Sequence, residues 1–199
     1  LPSGQTRDNP LRATFKPPAW PVFVIGIDAA DWDLINPLIG AGALPNLKAL
    51  RDRGAWGTLR SMTPMLSPIL WTTAATGRPP EDHGIMDFLM KEPATGAEVP
   101  ISRLFRRVKA VWNIAGDFGL STLTVAWWAT WPAEAVNGEM ITDRVSYSLF
   151  DFPSGGDQPG VVYPASLLPE VQRLKVDPEE ISYEEVRAII EIDQGQFER

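Results

Sequence analysis

The chain has 199 residues, 44% hydrophobic and 22% charged, with 18 Lys and Arg against 25 Asp and Glu for a formal charge of −7. Such a length supports one domain with a sizeable core, and the composition is ordinary for a globular protein. The negative balance argues against a broad nucleic-acid surface, the absence of cysteine excludes disulfides and thiolate metal sites, and no apolar run approaches the roughly 20 residues of a membrane span.

The acidity is unevenly spread. Between Asp177 and Arg199 stand eight acidic residues and two basic ones, so the charge belongs to a solvated helical tail and not to a substrate site. Residues 1–21 contain Pro2, Pro10, Pro17, Pro18 and Pro21 and read as an extended lead-in to a domain spanning 22–199. Leu1 to Asn9 lack a signal-peptide core. There is no initiator Met, so the expectation is a processed chain or a fragment.

The continuous apolar run Val22-Phe23-Val24-Ile25-Gly26-Ile27 predicts a buried strand over 22–27. Pro45 to Leu50 has helical apolar spacing and stops at Gly54. A short strand is expected around Trp56–Arg60, and a helix opens at Ser67-Pro68. Arg106 to Phe118 reads as an amphipathic helix closed by Gly119. Strand character returns over Leu120–Trp127. Residues 151–160, rich in Pro and Gly, form a loop or insertion boundary. Ser182 with Glu185 matches a capping box, and Val186, Ile189 and Ile190 give the final helix an apolar face. Alternating strands and helices argue for an α/β fold with a mostly parallel sheet flanked by helices.

Two positions carry chemistry. Asp28 closes the first predicted strand, and functional groups in open α/β sheets gather beyond the carboxyl ends of strands. A carboxylate there suits a hard or borderline divalent metal. The competing role is a turn or helix cap, with Asp31 and Asp33 as further solvated acids. Ser67 before Pro68 suits an N-cap with Pro at the first helical position. The same place, among amide N–H groups at a positive dipole end, can bind phosphate. A nucleophile can also begin a helix, so the two roles coexist.

In order, the elements are strand-Asp28, Ser67-Pro68-Ile69-Leu70-Trp71, Ala75-Thr76-Gly77, Pro80 and His83-Gly84-Ile85. Together they resemble the amino-terminal half of the alkaline phosphatase superfamily, in particular its type I phosphodiesterases and nucleotide pyrophosphatases. The resemblance covers roughly residues 20–145, with Trp127-Trp128-Ala129-Thr130-Trp131-Pro132 part of it. It implies an alkaline phosphatase-like α/β fold, apparently incomplete at the carboxyl end. It also implies a phosphate-ester substrate and a covalent phospho-enzyme on Ser67. Two divalent metal ions, expected to be zinc, would be bound in part by Asp28 and Ser67. His83 falls in a structural turn with Gly84, where a hydrogen-bonded scaffold role is expected. Trp127, Trp128 and Trp131 could line a cleft, but core packing is the plainer reading. Arg60 and Arg78 flank the Ser67 segment, and solvation accounts for both.

The family draws its remaining metal ligands from later Asp and His residues. No histidine follows His83, so the expectation is an amino-terminal part of a longer phosphohydrolase, inactive by itself. A phosphotransferase of the cofactor-independent phosphoglycerate mutase kind and a non-catalytic binding domain remain as alternatives.

Overall fold

The computed structural model describes residues 14–145, 159–175 and 182–184. The first part of the lead-in, most of the 151–160 loop, and Glu185 of the capping box with the apolar face of the final helix lie outside the described residues. The chain divides into two compact units. One comprises Val24–Ser61 and Lys175–Arg199, the other Leu1–Phe23 and Met62–Leu174.

In the smaller unit, helix α1 spans Trp32–Gly40 and helix α2 spans Pro45–Arg53. The side chain of Asp31 caps α1 by accepting the amide of Asp33 at 2.8 Å, so capping falls to Asp31 and not to Asp28. α2 opens on Pro45 and ends at Gly54, as its sequence implies. The rings of Trp32 and Trp56 pack with centroids 5.2 Å apart, and the Trp32 indole donates to the carbonyl of Gly57.

Two predicted strands are not formed. Residues 22–27 and 56–60 carry no ladder, and Val22, Phe23, Val24 and Ile25 are each at least 74% exposed. Apolar character favours a buried strand only where neighbouring strands accept its backbone groups. Among the described residues nothing pairs with either run.

The larger unit holds helix α3 (Ser67–Thr76), helix α4 (Pro80–His83), strands β1 (Leu89–Lys91) and β2 (Glu98–Pro100), and helix α5 (Val111–Asp117). Strands β3 (Thr122–Trp127), β4 (Gly138–Thr142) and β5 (Val162–Tyr163) follow, then helix α6 (Leu168–Leu174). The amphipathic segment from Arg106 becomes helical only at Val111, where Asn113 reaches back to the amide of Ala110 at 2.9 Å.

β1 and β2 form an antiparallel hairpin. The second sheet runs β3-β4-β5, with β3 and β4 parallel and β5 antiparallel to β4. The result is a mixed α/β structure with small sheets, and its parallel part among the described residues is the β3–β4 pair.

Ala75, Ala110, Trp112 and Met140 form one core, with Trp127, Val136 and Tyr163 packed against it. Ile85, Ile101 and Ala129 form a second. Val161, Val162 and Val171 form a third, on which Trp131 and Ile141 rest.

β3 contains an irregularity that matters for the site. Thr124 pairs with Met140 and Val125 with Ile141, but Trp127, not Ala126, pairs with Thr142. Simple alternation would put Trp127 on the face of Leu123 and Val125, which are 63% and 56% exposed. The bulge at Ala126, whose φ is 51°, turns Trp127 to the face of Met140 and Thr142, both fully buried. Bulges re-aim side chains in this way.

Candidate functional site

Ser67 is the first residue of α3, and Pro68 fills the next position. Leu66 is the N-cap and no side chain caps this end, so the N-cap role expected of Ser67 is not what the structure shows. Proline needs no amide partner in a first turn, which fixes where the helix starts. Gly77, at φ 63°, stops it by returning its N–H to the carbonyl of Thr73. A left-handed residue in that place favours glycine. Pro68, Ile69, Thr72 and Ala75 are the buried positions of α3. Ser67 itself is half-buried.

Asp28 sits in a turn ahead of α1 and is exposed. It belongs to the smaller unit and Ser67 to the larger one.

His83 is fully buried. Its Nδ1 accepts the amide N–H of Ile85 at 3.1 Å, and its Nε2 lies 3.0 Å from Thr73 Oγ1. An Nδ1 that accepts an N–H carries no proton, so Nε2 donates to the threonine hydroxyl. That hydroxyl in turn faces Met62 Sδ at 3.6 Å. Burial holds the imidazole below its ordinary pKa, against the opposing pull of Glu81 and Asp82. Both ring nitrogens are engaged, which is the scaffold role expected from the sequence.

The tryptophans of 127–131 are half-buried, and Trp127 and Trp131 pack against the cores. Trp127 donates Nε1–H to the carbonyl of Trp71 at 2.9 Å, and its ring meets those of Trp71 and Trp112 edge-on at 5.2 and 6.2 Å. Trp128 meets Phe88 at 5.6 Å. Trp131 lies under the guanidinium of Arg144, 4.7 Å from its ring centroid. Arg60 and Arg78 are exposed.

Two carboxylates, one buried and one half-buried, escaped the sequence reading. Asp143, directly after β4, is 5% exposed. It accepts the amides of Ala129 at 3.0 Å, Thr130 at 3.3 Å and Trp131 at 3.0 Å, and the Thr130 hydroxyl at 3.2 Å. Burial pushes its pKa up, and these hydrogen bonds only partly offset that rise. Ala129, at φ 56°, is part of the turn it holds. Three successive amides aimed at one anion make a small nest.

Glu134 accepts Arg106 Nη2 and Trp112 Nε1, each at 2.6 Å. Burial raises its pKa, but the bonds from Arg106 and Trp112 outweigh that and hold the group below its ordinary value. Arg103, Arg106, Arg107, Lys109, Trp112 and Glu134 line part of a cleft of about 510 Å³, and Ser67 is not on its wall. An acid directly after an alternating strand was the one sequence signal available for Asp143. Glu134 left none.

Among the described residues no three His, Cys, Asp or Glu side chains gather where they could hold a metal. These residues alone therefore do not fit a two-metal centre. No helix among them is long and apolar enough to cross a membrane.

With a serine opening a helix in an α/β framework, the class to compare is that of phosphoryl-transfer enzymes. The profile of the type I phosphodiesterase / nucleotide pyrophosphatase family matches residues 22–181. The chain belongs to this family of metal-dependent phosphoric ester hydrolases within the alkaline phosphatase superfamily. A crystal structure of phosphonoacetate hydrolase from Sinorhizobium meliloti 1021, in complex with phosphonoacetate, is 31% identical with a TM-score of 0.44. The match covers 50% of this chain and 24% of that one, so the chain spans about a quarter of that protein. A comparison with curated proteins yields no match.

Proposed function

We propose that this chain is the amino-terminal part of a phosphodiesterase or nucleotide pyrophosphatase-like hydrolase in which Ser67 is the nucleophile. The observation that carries this reading is the placing of Ser67 as the first residue of a ten-residue helix within a family match over 22–181. The amide N–H groups and positive dipole end of such a helix favour a bound phosphate. Pro68 has no N–H, so Ser67 and Ile69 are the nearest amide donors.

In the reaction, Ser67 Oγ attacks phosphorus, and the proton its hydroxyl gives up is taken by the departing alcohol. The P–O bond to the leaving alcohol breaks as the new P–O bond to serine forms. Water then attacks the phosphoserine, releasing phosphate or a phosphomonoester and restoring the hydroxyl. Asp28 and Ser67 Oγ are the residues here that would hold a metal, and such an ion would supply stabilisation of the charge developing on the phosphoryl oxygens.

Asp28 is our candidate for one metal-binding carboxylate, with Ser67 Oγ as a further ligand and zinc as the metal. The one histidine of the sequence is engaged on both nitrogens. The remaining ligands of such a site are therefore assigned outside the described residues. The substrate is a small phosphate ester.

The test is Ser67→Ala in the product of the whole reading frame, assayed on bis-p-nitrophenyl phosphate with mass spectrometry of the Ser67 peptide. The N-cap of α3 is Leu66, so the variant removes no cap and should fold as the parent does. Turnover should fall by several orders of magnitude and the phosphopeptide should vanish. Asp28→Asn should weaken zinc binding. Parental turnover in Ser67→Ala would move the chemistry elsewhere, to a related phosphotransferase arrangement or to a fold kept for binding.

A further inference from the structure

We propose that Trp127 is a positioning residue for Ser67, an inference that rests on the reading of Ser67 as nucleophile. Trp71 follows Ser67 by four residues, so the two share one face of α3, and a helical side chain leans toward the preceding turn. Trp127 holds that same turn twice. Its Nε1–H bonds the Trp71 carbonyl at 2.9 Å, and its ring packs edge-on against the Trp71 ring at 5.2 Å.

The grip comes from a fixed base. The bulge at Ala126 aims Trp127 inward to pair with Thr142. The chain immediately after Trp127 is pinned by Asp143 through the amides of Ala129, Thr130 and Trp131. The two alanines at positions 126 and 129 have φ of 51° and 56°, and such backbone persists only where its surroundings over-determine it. A strained turn on the end of β3, held by Asp143, thus fixes the height and rotation of α3 at Trp71, one turn beyond Ser67. An attacking oxygen displaced by about 1 Å loses roughly a hundredfold in rate.

The experiment uses Trp127→Phe, which keeps an aromatic ring and removes the N–H, with Trp112→Phe as a core control of the same size change. In the whole-frame protein, Trp127→Phe should lower kcat roughly 10–100-fold with KM within about twofold. Trp112→Phe, which loses a bond to Glu134 instead, should leave kcat within about twofold of the parent even if its melting temperature falls further. In the 199-residue chain, Trp127→Phe should speed hydrogen exchange of the α3 amides, and Trp112→Phe should not.

Equal effects of the two variants on kcat, or α3 exchange unchanged in Trp127→Phe, would overturn the assignment. A dead Ser67→Ala beside a fully active Trp127→Phe removes the positioning role alone. An active Ser67→Ala removes both readings.

Discussion

Thr73 Oγ1 and His83 Nε2 meet at 3.0 Å, tying the last full turn of α3 to the end of α4 across the Gly77 stop. Because the ring's other nitrogen accepts the Ile85 amide, the neutral tautomer is the one this contact stabilises. The folded-state pKa lies below the ordinary 6.5, so the unfolded chain takes up the proton first. The stabilisation is whole above pH 6.5 and is lost as pH falls through the folded-state value. Urea melts at stepped pH should show this loss. His83→Asn, whose amide oxygen can still accept from Ile85, should be less stable by about 1–3 kcal/mol at neutral pH and should lack that part of the acid dependence.

Glu134 predicts a second, lower acid limb. Its folded pKa lies below 4.5, so its contribution is present above pH 4.5 and is lost as pH drops through the folded value. The Arg106 and Glu134 side chains are only 7% and 15% exposed, which protects the pair from screening by salt. Glu134→Gln should cost about 2–3 kcal/mol at pH 7, measured by denaturant melts, and should remove the limb below pH 4.5.

Thr72 points the other way. Its hydroxyl is buried in α3 without a hydrogen-bond partner among the described residues. Thr72→Val keeps the branched shape and deletes the unsatisfied group, so it should raise stability by about 1 kcal/mol. A melting temperature below that of the parent would count against this reading of the site.

Gly138 opens β4 at φ 130°, and a Cβ there would stand 2.1 Å from the carbonyl oxygen of Thr122 and 2.7 Å from its nitrogen. Gly138→Ala must therefore push β3 and β4 apart at their first paired residues. The expected cost is about 3 kcal/mol in a urea melt.

The parts of this fold that could be read from sequence were those written locally. Ser67-Pro68 and Gly77 mark both ends of α3 by proline and glycine chemistry alone. Pro45 and Gly54 do the same for α2, and alternation over Leu120–Trp127 found β3. The runs at 22–27 and 56–60 show the limit, because a strand is completed by its neighbours and an apolar run does not say which residues those are. Trp127 shows another: a one-residue bulge at Ala126 changes the face to which the next side chain points, and periodicity alone cannot signal it. The roles of Asp143 and Glu134 depend on partners 12 to 14 and 22 to 28 positions away. Contacts of that span leave no local pattern. For the proposed site, both Ser67 and Asp28 were named from sequence, but the device that grips α3 was not.

The packing of Trp71, Trp127 and Trp112 also gives the protein an optical signature. Indoles with centroids 5.2 and 6.2 Å apart and planes inclined at 84° and 68° couple their electronic transitions. The molecule should therefore show a strong near-ultraviolet dichroic band that vanishes when fixed side-chain packing is lost, even where helix content survives. The spectrum would report, without any added label, whether the helix turn behind Ser67 is still held in place.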